Sequence, residues 1–245
     1  TLRAYGVHVD GNIQAEGAIL VNVYPGARVN GNIQIKQGGG AAVEGASVGA
    51  DLQFDANNRA LTARNNTIGG NLQAFGNRNG LTIASNTING NLQCKTNVPP
   101  PVGWGNVVYG SMEDQCVGFD GPPPTSTPTV TPTRTFGPTP TATATATATR
   151  TAGPTRTPTA VPSGDGICTG VLGAVTVENL TVPQNAACTL NGTHVQGNVK
   201  VGTGATLRAY GVHVDGNIQA EGASLVAVHP GARIDGNIQI KQGGG

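Results

Sequence analysis

Apolar and polar positions alternate with period two over short runs, and those runs return about every 20 residues along the chain. Each run is marked by Gly-Asn, an aliphatic residue and Gln. The motif stands at Gly11-Asn12-Ile13-Gln14, Gly31-Asn32-Ile33-Gln34, Gly70-Asn71-Leu72-Gln73 and Gly90-Asn91-Leu92-Gln93. It returns at Gly216-Asn217-Ile218-Gln219 and Gly236-Asn237-Ile238-Gln239, with the variants Ala50-Asp51-Leu52-Gln53 and Gly197-Asn198-Val199-Lys200. A β-branched residue precedes each central aliphatic by four positions (Val9, Val29, Val48, Ile68, Ile88, Val195, Val214, Ile234), and a compact or apolar residue follows it by two. Period-two alternation places Asn and Gln on one face of a strand and the aliphatics on the other. No helical period is present.

Short strands, Gly-containing corners and a 20-residue repeat predict an all-β fold, a parallel β-solenoid in which each period makes one coil and neighbouring coils pair edge to edge. Inward columns then become aliphatic ladders. The expected core ladder is Ile13, Ile33, Leu52, Leu72, Leu92, Val199, Ile218 and Ile238. Asn12, Asn32, Asn71, Asn91, Asn198, Asn217 and Asn237 form an expected ladder of stacked amides beside a Gln column. Glu16, Lys36 and Asp55 fall at equivalent places on successive coils, so unlike charges face one another.

A longer repeat overlies the short one. Residues 1–40 and 206–245 differ only at 19, 22, 24, 29 and 30 of the first copy, an offset of 205 residues. The chain therefore reads as a piece of a tandem array, with 1–120 the C-terminal part of one solenoid module and 166–245 the N-terminal part of the next. A whole module of seven or eight coils would be roughly 35–40 Å long at about 4.8 Å per coil.

Between these parts, residues 121–165 hold most of the 16 prolines and a dense run of Thr, without apolar periodicity. This composition suits an extended, polyproline-like linker of roughly 140 Å at full stretch. It resembles mucin-like stalks, so covalent O-glycans are expected on Thr125, Thr127, Thr129, Thr131, Thr133, Thr135, Thr139, Thr141, Thr143, Thr145, Thr147, Thr149, Thr151, Thr155, Thr157 and Thr159.

The four cysteines lie near the module limits: Cys168 and Cys188 are 20 residues apart, and Cys94 and Cys116 are 22 apart. One coil of separation predicts two disulfides, Cys94–Cys116 and Cys168–Cys188, clipping the end coils. A four-Cys zinc site would need closer pairs. Disulfides imply a secreted, extracellular or cell-surface setting. Trp104, Tyr109 and Phe119 are expected to cap the last coil.

Composition narrows the function. The chain of 245 residues has net charge +1, 11% charged and 4% aromatic residues, which argues against nucleic-acid binding. No apolar run approaches a membrane span. No nucleophile triad, phosphate loop or clustered carboxylate groove is visible, so no catalytic residue, cofactor or metal is expected. His229 has Tyr24 as its counterpart in the other copy, which speaks against a catalytic imidazole.

The coils of GVHVDGNIQAEGAILVNVYPGARVNGNIQI (6–35) resemble those of the bactofilins, the polymer-forming bacterial β-helix family. The resemblance covers 1–95 and 190–245. It implies a right-handed solenoid that joins end to end into filaments; the paired Cys, the Thr/Pro segment and the duplication depart from that family. The expected function is thus a structural subunit of an extracellular filament or surface fibre, its partner further copies of itself. The alternative is a carbohydrate-binding adhesin or stalk whose modules do not touch.

Overall fold

The computed structural model describes residues 1–123 and 165–242. They form one parallel β-solenoid with three faces, sheets A, B and C of 10, 10 and 11 strands. In a typical coil the chain passes from A through B to C, as in Leu61–Arg64, Thr67–Ile68 and Leu72–Phe75. Every strand pairing is parallel and joins a strand to the equivalent strand of a neighbouring coil. At about 4.8 Å per coil the stack is roughly 50 Å long. The candidate glycan-bearing threonines all lie outside the described residues, as does 124–164 of the Thr/Pro segment.

The register follows the motif. Ile13 pairs with Ile33 and Ile238, and Leu72 with Leu52 and Leu92. Ile13, Ile33, Leu52, Leu72, Leu92, Val199, Ile218 and Ile238 are fully buried, in line along the axis. A second buried file runs up sheet C from Val201 through Ala220, Ile240, Ala15, Ile35, Phe54 and Ala74 to Cys94. Sheet B contributes Val9, Val29, Val48, Ile68 and Ile88. These files remove most of the apolar surface from water, at about 25 cal/mol per Å².

Left-handed residues make the corners. Gly17, Gln37, Ala56, Gly76 and Thr96 follow sheet C, and Gly6, Gly45, Asn65, Ser85 and Gly105 follow sheet A, all with φ between 50° and 67°. The Gly of Gly-Asn has a different role. A Cβ on Gly31 would stand 2.4 Å from Asn12 Oδ1, and one on Gly90 2.4 Å from Asn71 Oδ1. Omitting that carbon lets each Asn oxygen reach the neighbouring coil's backbone: Asn32 N donates to Asn12 Oδ1 at 2.7 Å and Asn91 N to Asn71 Oδ1 at 2.8 Å. Asn198, Asn217 and Asn237 continue this half-buried ladder, and Asp51 and Asn179 also take places in it.

Two further amide ladders are fully buried and are not marked by the motif. They occupy the residue just after the left-handed corner: Asn57, Asn77 and Asn97 on one edge, Asn66, Asn86 and Asn106 on another. Asn77 is typical. Its Oδ1 accepts from Asn57 N and Asn57 Nδ2, both at 3.0 Å; its Nδ2 donates to Asn97 Oδ1 and to Phe54 O, also at 3.0 Å. The side chain thus satisfies backbone groups that the corner would otherwise bury without partners.

Removing such a side chain leaves its backbone partners buried. Asn77→Ala is expected to lower unfolding free energy by about 2–4 kcal/mol, since two or more buried groups lose their partners. Asn71→Ala, in the half-buried ladder where water can substitute, should cost about 1 kcal/mol. Equilibrium denaturation of both variants checks the difference.

Candidate functional site

The features that bear on function are the two ends of the stack and the side-chain columns between them. One end is built by Val102–Trp104, Val107–Val108 and Met112–Asp114, the other by Gly166–Ile167, Val171–Leu172 and Thr176–Val177; each of these strands has a strand partner on one side only. Disulfides tie both end coils to the coil within. Cys94–Cys116 has a Cα–Cα distance of 5.3 Å and Cys168–Cys188 one of 5.5 Å.

Residues 115–121 form a partial lid at the first end. Gln115 Oε1 accepts from Asn97 N at 2.9 Å and Phe119 O from Asn106 N at 3.0 Å, so each buried Asn ladder ends on a fixed acceptor. Phe119 packs on the core above Gly103. The other two aromatics expected in this cap are elsewhere. Trp104 lies on the outer face, with the Arg64 guanidinium 5.6 Å from its ring centre, and Tyr109 is 72% exposed. Both project outward because strand alternation there turns them away from the core.

Apolar side chains left in solvent concentrate at the ends. Val102, Val107, Tyr109 and Val117 are exposed at one, Ile167 and Val171 at the other. Their strands leave unpaired N–H and C=O groups beside them, the condition under which a sheet edge accepts another strand.

Three outward columns run between the ends. On sheet C, Gln14, Gln34, Gln53, Gln73 and Gln93 each donate Nε2 to the next coil, and the series ends on the Glu113 carboxylate, which only accepts. Alongside, Glu16, Lys36 and Asp55 share register positions, yet the ion pairs of the described residues lie on another face. Shallow grooves follow this column, lined in part by Lys200, Gln219, Gln239 and Lys241 and then by Gln14, Glu16, Gln34 and Lys36.

On sheet A, Tyr210, His229, Tyr5 and Tyr24 stack as a file of rings with centroids 4.0, 5.1 and 4.2 Å apart. His229 is therefore a rung in this stack. On sheet B the file of His194, His213, Arg233 and His8 interleaves with Asp215, Asp235 and Asp10. Burial pushes the Asp235 carboxyl up, but the His213 hydrogen bond and the Arg233 charge outweigh it and hold the group below the ordinary carboxylate range.

No family model, curated protein or solved structure matches this chain. Among the described residues no helix is long and apolar enough to cross a membrane.

The most informative contact joins the two stretches of chain. The coil at Leu225–Lys241 carries on its free edge the coil at Leu2–Glu16: Leu2 pairs with Val226, Val9 with Ile234 and Ile13 with Ile238. Asn12 Nδ2 donates to Asn237 Oδ1 at 2.9 Å and Gln239 Nε2 to Gln14 Oε1 at 3.2 Å, so the amide ladders cross the junction unbroken. Tyr5 stacks on His229 across it, and Arg233 pairs with Asp10.

The junction imparts a pH dependence. Burial first, and the nearby Arg208 charge second, hold the His229 imidazole below its ordinary value. The folded state thus takes up this proton less readily than the unfolded chain, whose imidazole titrates near about 6.5. Its stability is complete above that pH and falls as pH drops toward the lower folded value. His229→Tyr, the residue found in the other copy, should shrink the loss of thermal midpoint between pH 8 and pH 5 and leave pH 8 nearly unchanged.

Proposed function

We propose that the chain is a structural subunit of an extracellular filament or surface fibre in which β-solenoid stacks join end to end, with the Thr/Pro-rich segment as an O-glycosylated coat. The observation that carries this reading is the junction just described. Two coils separated by about two hundred residues of sequence stack in register through the same hydrogen bonds, ladders and aliphatic files as consecutive coils. Stacking between coils that do not follow one another in sequence is what a filament joint requires. Edge strands flanked by exposed Val102 and Val107 at one end and by Ile167 and Val171 at the other support further joints there, the first beside the partial lid of 115–121.

Two disulfides favour an oxidising compartment, hence secretion or display at a surface. The bactofilin-like coils point the same way on polymerisation. A near-identical 40-residue duplication fits a tandem array, in which linked modules meet at high effective concentration. The second reading, a carbohydrate-binding adhesin, draws on the grooves along the Gln column, whose amides could hydrogen-bond sugar hydroxyls.

Negative-stain imaging and sedimentation of the purified chain test the proposal. The expected result is rods of uniform width, many longer than the roughly 50 Å of one stack at about 4.8 Å per coil. Val107→Lys together with Val171→Lys, a charge on each exposed edge, should shorten them to single stacks while leaving the circular dichroism spectrum intact. Single stacks at every concentration, or beads spaced along a thread, would overturn end-to-end joining.

A further inference from the structure

We propose that His194, His213 and Asp215 form a binding site for a divalent transition-metal ion of the zinc class, a role that the sequence gives no reason to expect. The two histidines precede equivalent β-branched core residues, Val195 and Val214, so the register pairs them directly on adjacent strands. Their rings lie 4.9 Å apart and within 15° of parallel. Both present Nε2 to one carboxylate oxygen: Asp215 Oδ1 is 2.8 Å from His194 Nε2 and 3.4 Å from His213 Nε2.

Those separations match a metal's needs. With zinc–ligand bonds of about 2.0–2.1 Å, neighbouring ligand atoms of a tetrahedral site are about 3.3 Å apart. The three ligand atoms here all lie within 4.8 Å of one another. Small rotations of side chains that are 37–44% exposed would enclose an ion, leaving the fourth position to water. Two imidazoles and one carboxylate select a borderline ion such as Zn²⁺ over Mg²⁺ or Ca²⁺, which prefer all-oxygen shells.

Neighbouring groups fit the assignment. Asp235 Oδ2 is 3.1 Å from His213 Nε2 and also pairs with Arg233, so it stays charge-balanced when His213 turns its nitrogen to the metal. In a neutral imidazole the proton then resides on Nδ1 and Nε2 supplies the lone pair; no electron transfer is involved. His8, the copy of His213, is flanked by Arg233 and Arg28 instead of another histidine, and those cations exclude the same site there. Among the described residues this is the one group of at least three such side chains with ligand geometry.

A bound ion would staple the coil at Ala187–Val201 to the coil at Thr206–Glu221. Calorimetric titration of the tag-free chain with ZnCl2, with MgCl2 as comparison, tests this. One Zn²⁺ per chain should bind and Mg²⁺ should not. His194→Gln, His213→Gln and Asp215→Asn should each weaken binding by about tenfold or more, and His8→Gln should leave it unchanged. Zinc should also raise the thermal midpoint of the parent chain but not of His213→Gln. These side chains lie outside the core, so circular dichroism should show the variants folded. Absence of zinc binding to the parent chain, or equal affinity in the three site variants, would overturn the assignment.

Discussion

The strands of a coil find no strand partner within it; they are completed only by the coils above and below. Leu72 N donates to Asn91 O and Leu52 N to Asn71 O, always one period away. Shifting a coil by one residue would turn Ile and Leu out to water and Asn and Gln inward, so the alternation that buries the core also fixes the register. From that one constraint follow the aliphatic files, the amide ladders and the stacked rings, because every side chain meets its own counterpart at strand spacing.

The same constraint governs charge. A column places each charged group beside its equivalents, where like charges repel. On sheet C the sign changes from coil to coil, Glu221, Lys241, Glu16, Lys36 and Asp55 alternating; on sheet B, Asp215, Asp235 and Asp10 do share a column and take partners from the neighbouring column instead. On sheet B, Asp10 and Asp235 neutralise Arg233 between two histidines. Where two histidines are neighbours without an intervening cation, at His194 and His213, an acceptor sits between them. Column chemistry is thus local, and two identical side chains acquire different surroundings when different coils flank them.

Much of the fold was legible in the sequence because Gly-Asn-x-Gln records both the strand period and the steric reason for glycine. The disulfides were legible for the same reason, since one coil of separation brings the members of each pair together. The buried ladders were not, although Asn57, Asn77, Asn97 and Asn66, Asn86, Asn106 are spaced at 20 residues. They stand at corners, where Asn ordinarily signals a solvated turn, and they occupy only some coils. The ring file on sheet A was also hidden, because Tyr24 and His229 differ in chemistry while sharing a flat shape. Trp104 and Tyr109 show the limit of reading aromatics near a chain irregularity as a cap: strand direction, which composition does not reveal, decides which way they face.

Corner chemistry also differs along the stack. The buried corners of the coils toward Cys94 carry Asn, and each Asn needs an acceptor supplied by the next coil; Gln115 and Phe119 must provide one where the coils stop. The duplicated coils have Val7, Ala18, Ala27, Val212, Ala223 and Ala232 at the equivalent corners, all buried. An aliphatic corner brings no buried amide side chain of its own, although its backbone can use a neighbour's, as Ala46 N donates to Asn66 Oδ1 at 3.0 Å. Four of these coils, drawn from both copies, lie consecutively in the stack. Polar corners thus fix which groups the covering coil must supply, while apolar corners leave that choice to the backbone and to shape.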